Sequence, residues 1–124
     1  MMEALRRAET ATSEPICYII SGDLAHIGPR FEDPIPLTTP RLEYSRQQDF
    51  AILRHAEAAR PAAYFKAIAD ENDSRNICGL SPTFTFLEAF RPASGKLLHY
   101  DQYVHPRNQE SVSFASMAFY RMTR

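Results

Sequence analysis

The chain has 124 residues, a length that suits one domain with a core of its own. Fourteen basic and fifteen acidic residues, mixed along the sequence, give a formal net charge of -1, which argues against a nucleic-acid-binding or anionic-lipid-binding surface. No apolar stretch approaches the roughly 20 residues that span a bilayer, and residues 1–15 lack the apolar region of a secretory signal, so a cytoplasmic protein is expected. Cys17 and Cys78 are too few for a disulfide framework and predict free thiols.

The first elements in the sequence are a helix, a strand and an irregular connection. Residues 3–8 favour a short helix. The run ICYII at residues 16–20 is continuously apolar rather than alternating, which is typical of a strand covered on both faces in a parallel or mixed sheet. This strand indicates the α/β class and places Cys17 in the core. The proline-rich stretch EDPIPLTTP at residues 32–40 then predicts an ordered, irregular connection.

Two successive helices are predicted in the middle of the chain. From Leu42 onward, apolar residues recur at helical spacing as far as the Arg-Pro pair at residues 60–61. The apolar stripe consists of Phe50, Ile52, Leu53, Ala56 and Ala59. Pro61 suits the first position of the next helix, whose buried side is expected to carry Phe65 and Ile68.

The C-terminal third predicts one more helix and two strands. Ser81 and Pro82 suit the N-cap and the first residue of a helix. Its buried face is expected to carry Phe84, Leu87 and Phe90. The stretches KLLHYDQYV and SVSFASMAFY are rich in β-branched and aromatic residues, so they predict two strands that are neighbours in the sheet.

The loop after the apolar run, SGDLAHIGPRF at residues 21–31, carries an acid and an imidazole. Asp23 and His26 are expected beyond the carboxyl end of a buried strand, where open α/β sheets gather their ligands. The carboxylate can orient the imidazole, both groups can ligate a metal, or the pair can act as acid and base near neutral pH. The alternative is that Asp23 caps a turn and His26 is a polar loop residue.

Three further residues are candidates for the site. Cys78 precedes a predicted helix start, where the helix dipole favours a thiolate that binds metals, although a buried structural cysteine is the alternative. Arg30 can meet an anionic substrate group or be a surface turn residue. Phe84 lines either the core or a ligand groove.

Three stretches of the sequence together carry a resemblance to a known family. ISGDLAHIGPRF, then NICGLSPTFTFL, then KLLHYDQY with SVSFASMAFY resemble the C-terminal half of the Memo-like family, also called AmmeMemoRadiSam system protein B. The resemblance implies a three-layer α/β/α fold similar to the catalytic subunits of class III extradiol dioxygenases, which use non-haem iron. Family members are considerably longer, so residues 1–124 are expected to be the C-terminal portion of a single Memo-like domain, with an incomplete sheet because the N-terminal half is absent.

The resemblance also implies a set of site residues. In the family, histidines and one cysteine line a pocket that is associated with iron or copper. Cys78 matches the metal-binding cysteine, while Asp23 and His26 match the acidic residue and the histidine of the pocket. By this resemblance Asp23 and His26 are the catalytic candidates, and Cys78 and His26 are the metal ligands. Arg30 and Phe84 are the expected ligand-pocket residues if the same pocket binds a peptide or a small anionic ligand. The family's Pro-His-Ala-Gly-type motif and second histidine do not occur in this sequence, so weak metal binding is expected.

Two functions from different classes follow from the resemblance. The first is a metal-associated, redox-related protein of the AmmeMemoRadiSam system, which as an enzyme would be a metal-dependent oxidoreductase. The alternative is a non-catalytic module whose pocket binds a peptide or a small anionic ligand. The expected partners are the N-terminal half or a second copy of the chain and, by genomic analogy, an AMMECR1-like protein and a radical SAM enzyme.

Overall fold

The computed structural model describes residues 1–121, which form helices packed against an antiparallel sheet. The helices are α1 (Met2–Ala11), α2 (Thr39–Glu57), α3 (Pro61–Asp70) and α4 (Leu80–Phe90), and the strands are β1 (His26–Ile27), β2 (Ser94–Val104) and β3 (Ser111–Tyr120). A short 3₁₀ turn, Pro29–Phe31, follows β1. Within the described part of the chain, the helices are all too short or too polar to cross a membrane.

The sheet has the strand order β1-β3-β2, and both pairs of neighbours are antiparallel. The two C-terminal strands are neighbours, as the sequence predicts, with Tyr100 opposite Ala115 and a bulge between Leu97 and His99. Helix α2 lies on the sheet, and the Tyr100 hydroxyl donates a hydrogen bond of 2.9 Å to Asp49 Oδ2 on that helix. The mixed α/β class is confirmed, whereas the described strands pair in antiparallel rather than parallel fashion.

The apolar run at residues 16–20 is not a strand. Ile19 is 89% exposed and Cys17 is also exposed, so the prediction of a buried strand and of a core position for Cys17 is wrong. A strand requires neighbouring N–H and C=O groups, and no backbone hydrogen bond joins this run to the rest of residues 1–121. The run crosses α4 instead, where the Tyr18 ring lies 4.1 Å from the Phe90 ring.

Helix α2 begins earlier than the apolar periodicity predicts. Thr38 is the N-cap, and its side-chain oxygen accepts a hydrogen bond from the Arg41 N–H. Pro40 occupies the first turn, where a missing N–H costs nothing. The buried face carries three of the five predicted apolar residues together with two polar ones, namely Ile52, Leu53, Ala56, Ser45 and Asp49. Phe50 is only partly buried. Ala59 lies beyond the helix in a left-handed conformation.

The other two predicted helices are present with different details. In α3 the buried residues are Tyr64 and Ile68, and Phe65 is 48% exposed, so its predicted place on the buried side is wrong. Helix α4 begins at Leu80 with Gly79 as its N-cap, not at Ser81 as predicted. The start moves because the Gly79 N–H is held by the Asp23 carbonyl at 2.8 Å, which fixes the chain just before the helix.

Candidate metal centre

Two glycines let the loop that carries Asp23 touch the loop that carries Cys78. A Cβ added at Gly22 would lie 2.7 Å from the Gly79 Cα, and one added at Gly79 would lie 2.6 Å from the Asp23 carbonyl oxygen. Only glycine permits so close an approach of two backbones. The Gly79 N–H also donates to the Asp23 carbonyl at 2.8 Å. The contact brings Cys78 beside Asp23, which is 55 residues away in the sequence.

Asp23, His26 and Cys78 place three metal-ligating groups together. One ligand atom from each residue lies within 4.8 Å of the other two. His26 Nε2 is 3.8 Å from Asp23 Oδ2, and the Asp23 N–H donates a hydrogen bond of 3.0 Å to Cys78 Sγ. Ligand atoms held at roughly 2.0–2.3 Å from one tetrahedral ion lie roughly 3.3–3.8 Å apart, so binding an ion requires the three side chains to move inward by about 1 Å. The three sequence-predicted residues therefore form one cluster that small side-chain movements can close around a metal ion.

Backbone carbonyls fix the orientation of the His26 ring. Its Nδ1 lies 3.2 Å from the Leu24 carbonyl oxygen and 3.1 Å from the Asn76 carbonyl oxygen. Because both groups only accept hydrogen bonds, the neutral ring is assigned its proton at Nδ1. The Phe31 ring packs edge-on at 5.2 Å. Nε2 is left with a lone pair directed toward Asp23, which is the form of histidine that ligates a metal.

A buried ion pair anchors the backbone next to His26. The His26 N–H donates to the Arg75 carbonyl at 2.7 Å. The Arg75 guanidinium is buried, pairs with Asp49 on α2, and donates to both Glu71 carboxylate oxygens at 2.9 and 2.8 Å. Burial acts to lower the Arg75 pKa, but the hydrogen bonds to Glu71 and Asp49 raise it above its ordinary value, so the guanidinium stays charged.

This anchor was missed by sequence reasoning. The sequence predicts residues 70–76 only as the end of a helix. In the structure, the Arg75 side chain extends from this segment and forms an ion pair with Asp49 on α2. A signal was available in α2 itself, because Asp49 falls on the apolar face of the helix between Ile52 and Ser45. A carboxylate on a buried face requires a partner of opposite charge.

A cavity of about 590 Å³ opens beside the cluster. Asp23 is the member of the cluster that lines it, together with residues 16–20, residues 115–121, Phe86 and Phe90. Tyr64 also lines it, and its hydroxyl donates to the Gly79 carbonyl at 3.4 Å. Burial raises the pKa of Tyr64 to about 12, so the phenol is neutral at physiological pH. The cavity is a mainly apolar chamber with a carboxylate at one end.

The two predicted ligand-pocket residues lie elsewhere. Arg30 is on the 3₁₀ turn, where its guanidinium contacts Glu110 at 3.1 Å. Phe84 packs against the core, with its ring 5.5 Å from the Phe65 ring. Neither residue lines the cavity beside Asp23. A ligand-pocket role for Arg30 and Phe84 stays a prediction.

The cluster combines donors of different softness and is open on one side. Cys78 offers a soft thiolate, His26 an imidazole and Asp23 a hard carboxylate, a set that suits iron, copper or zinc. The Asp23 side chain is 50% exposed and the His26 side chain 19% exposed, and Cys78 is exposed as well. Three protein ligands with open positions are typical of reactive rather than purely structural metal sites.

Comparison with known proteins agrees with this architecture. The sequence matches the family model of the Memo-like proteins over residues 2–118, which extends from α1 into β3. No curated protein sequence matches the chain. The match confirms the resemblance carried by the loop at residues 21–31 and the segment around Cys78, and it relates the fold to that of class III extradiol dioxygenases. The chain therefore belongs to the Memo-like protein family.

Proposed function

We propose that this Memo-like protein binds a redox-active transition metal, iron or copper, at Asp23, His26 and Cys78. The observation that carries the proposal is the convergence of three ligand atoms within 4.8 Å from two loops that are joined by close glycine contacts. The carbonyls around His26 Nδ1 support it, because they leave Nε2 free as a ligand. An iron or copper ion held there would supply one-electron redox chemistry.

The protein side chains have separate parts in this proposal. His26 and Cys78 hold the metal. Asp23 lines the cavity and lies 3.8 Å from His26 Nε2, so its carboxylate is positioned to ligate or to accept a proton from a bound molecule. Phe86 and Phe90 contribute apolar surface to the neighbouring cavity. Asp23 and His26 are therefore the proposed catalytic residues of a metal-dependent oxidoreductase.

The cellular system and the partner proteins are proposed from membership of the family. We propose that the chain acts in the AmmeMemoRadiSam system, in the cytoplasm, with AMMECR1-like and radical SAM proteins as partners. Membership of the Memo-like family supports this proposal. Because one thiolate, one imidazole and one carboxylate leave positions open on a metal, an N-terminal half or a second copy is the proposed source of further ligands.

Anaerobic titration with Fe(II), followed by calorimetry, tests the metal site. We expect saturable but weak binding of one ion per chain, because only three ligands are present. Cys78→Ser and His26→Gln should abolish the binding. Cys17→Ser is the matched control, since Cys17 is also an exposed thiol but lies outside the cluster. The proposal fails if Cys78→Ser binds Fe(II) like the parent protein, or if Cys17→Ser loses as much.

One observation favours the non-catalytic alternative. The cavity contacts Asp23 alone among the three cluster residues, so it can hold a peptide or small ligand without involving Cys78. Under this alternative, Cys78→Ser leaves ligand binding unchanged, whereas Phe86→Ala, a change in the cavity lining, weakens the binding of an apolar ligand. Under the metal proposal, Cys78→Ser abolishes redox activity while the apolar cavity still binds.

A further inference from the structure

The hydrogen-bonded ladder between β1 and β3 stops directly after residues 16–22. Ser113 of β3 is bonded to two successive residues, since the Leu24 N–H donates to its carbonyl at 2.8 Å and its own N–H donates to the Ala25 carbonyl at 3.0 Å. Two residues that face one form a β-bulge. Residues 16–22, on the far side of this bulge, make no backbone hydrogen bond to the rest of the described chain. The segment next to the ladder therefore has no strand neighbour.

The edge of β3 that would continue the ladder is also free. The N–H and C=O groups of Ser113 point toward the β1 side, so strand alternation directs those of every second residue to the same side. The residues concerned are Ala115, Met117 and Phe119. Among residues 1–121, no backbone hydrogen bond reaches the β1-side groups of these three residues. Two neighbouring segments of the chain thus both lack partners.

The burial of residues 16–20 fits one register on this edge. Counting on from the bulge, an antiparallel ladder pairs Ile20 with Met117. The next such pair is Tyr18 with Phe119. Met117 and Phe119 pack against the hydrophobic core. Tyr18 and Ile20 are half-buried, whereas the residues on either side of Tyr18 are exposed. A slip by one residue would turn the exposed residues inward, so the burial pattern matches the register that the ladder predicts.

Two observations favour pairing within the chain over pairing with a second copy. The Phe86 ring of α4 lies 6.4 Å from the Tyr18 ring and 5.1 Å from the Phe119 ring, so both members of the second pair share one neighbour on the core side. Residues 16–20 are also joined to the ladder through residues 21–23 alone. So short a connection gives the segment a local concentration that is roughly millimolar, which exceeds that of a second copy in dilute solution.

We propose that residues 16–22 form a strap that closes onto the free edge of β3 and thereby shuts the cavity beside Asp23. The cavity runs along both segments, since all of residues 16–20 and 115–121 line it. Paired strands lie about 4.8 Å apart, which leaves no room for a ligand between them. An apolar molecule in the cavity and the closed strap therefore exclude each other. The strap controls access to the cavity, and it does so without a metal ion.

A disulfide between the strap and β3 tests the proposal on the whole protein. In the predicted register Cys17 and Tyr120 are a non-hydrogen-bonded pair, whose Cα separation of about 4.5 Å suits a disulfide. In Tyr120→Cys, oxidised glutathione should link residues 17 and 120 within one molecule. Ser116→Cys is the matched control. Ser116 is also exposed but lies about 13 Å along the strand, so its link to Cys17 should form at least about tenfold more slowly.

Two measurements on the cross-linked protein show whether the strap is paired and the cavity shut. The amides of Met117 and Phe119 should exchange hydrogen at least about tenfold more slowly than after reduction, because they gain partners in Ile20 and Tyr18. The neutral apolar dye N-phenyl-1-naphthylamine should bind the reduced protein but not the cross-linked one. Peptide mass spectrometry identifies the linked cysteines, and thermal melts confirm that both variants fold.

The unmodified protein gives a test that needs no variant. Saturating dye should accelerate hydrogen exchange at Met117 and Phe119, because it holds the strap open. The proposal is overturned if the dye leaves this exchange unchanged, if the two cysteine variants cross-link at equal rates, or if the cross-link joins two molecules. It is also overturned if the cross-linked protein still binds the dye or leaves the two amides unprotected. None of these outcomes depends on metal binding, so failure here is separate from failure of the proposed metal site.

Discussion

The geometry of the candidate metal centre depends on the absence of a side chain at Gly79. Its backbone lies against that of Gly22 and accepts no side chain, because a Cβ at Gly79 would lie 2.6 Å from the Asp23 carbonyl oxygen. The contact is between two backbones, so neither side can rotate away as a flexible side chain would. The position of Cys78 relative to Asp23 is set by this contact.

Replacing Gly79 with alanine is expected to destabilise the fold by about 1–3 kcal/mol, because the added methyl group forces the two loops apart. Urea denaturation measures the change. Ser81→Ala is the control, since Ser81 is exposed two residues further along the chain and should change stability little. Equal effects of the two substitutions would contradict the steric explanation.

Asp33 is a second residue whose environment has a measurable consequence. Its carboxylate accepts hydrogen bonds from the Gly28 N–H at 2.9 Å and the Ile35 N–H at 3.1 Å, and it pairs with Arg41. Burial acts to raise the pKa of Asp33, but these hydrogen bonds and the Arg41 charge outweigh burial and hold the pKa below its ordinary value.

The depressed pKa of Asp33 predicts a pH dependence of stability. The contribution is fully present above the unfolded pKa of about 4 and is lost as the pH falls through the lower folded pKa. Asp33→Asn should therefore reduce stability at neutral pH and lessen the fall in stability below about pH 4. Urea denaturation as a function of pH measures both effects. Asp70→Asn, at an exposed ion pair with Lys66, is the control and should leave the acid dependence nearly unchanged.

At the scale of elements, α2 is held to the segment before Cys78 by charge rather than by apolar packing alone. Asp49 on the buried face of α2 pairs with Arg75 and accepts a hydrogen bond from the Tyr100 hydroxyl of β2. Burial raises the pKa of Tyr100, which keeps the phenol protonated as the donor. One carboxylate thus joins a helix, a strand and the loop that holds His26.

Removing one member of this pair should be severe. Arg75→Met leaves the Asp49 charge buried without a partner and is expected to cost about 3–5 kcal/mol in a urea denaturation experiment. The double variant Asp49→Leu with Arg75→Met removes both charges of the buried pair and leaves only the Glu71 carboxylate at the edge without its partner, so it should be closer to the parent protein. Lys66→Met, which breaks an exposed pair with Asp70, should cost at most about 1 kcal/mol. A double variant as unstable as Arg75→Met alone would refute the argument.

Most of the helices and strands are correctly predicted from the sequence. Helical periodicity correctly predicts α2, α3 and α4, and the aromatic and β-branched stretches correctly predict β2 and β3 as neighbours. The acid, the imidazole and the thiol were also found from their local patterns and their family resemblance, and the structure brings them together. Local patterns were sufficient for features that depend on local spacing.

The sequence was insufficient where a feature depends on distant partners. The apolar run at residues 16–20 satisfies every local condition for a buried strand, yet a strand exists only when neighbouring backbones pair with it. In the same way, Tyr64 rather than Phe65 is buried, and its hydroxyl reaches the Gly79 carbonyl on a distant segment. Helical periodicity also does not show that Arg75, which follows α3, forms an ion pair with Asp49 on α2.

At the scale of the whole molecule, one face of the sheet is not covered by any other element among residues 1–121. Tyr103, Phe114 and Tyr120 are exposed apolar residues on the strands β2 and β3. Helix α2 covers the opposite face through its contact with Tyr100. Exposed apolar surface of this kind favours association between molecules.

Polar substitution of this face should therefore reduce self-association. Tyr103→Thr combined with Phe114→Thr keeps β-propensity while removing apolar surface, so light scattering should show less association with increasing concentration at unchanged thermal stability. Ile35→Thr is the matched control, because Ile35 is exposed in the proline-rich connection away from the sheet. If Ile35→Thr reduces association to the same extent, general surface hydrophobicity rather than this face of the sheet drives the association.

The pairing of β1 with β3 has a consequence for the order of folding. Next to β1, the Ala25 N–H donates a hydrogen bond to the Ser113 hydroxyl, and these two residues are 88 residues apart in the sequence. Closing so long a loop is slow, and contacts of high sequence separation form late. During synthesis, Asp23 and His26 emerge long before the strand that fixes their backbone exists. Asp23 and His26 are thus translated early, and the backbone of His26 is fixed only after the last strand has been made.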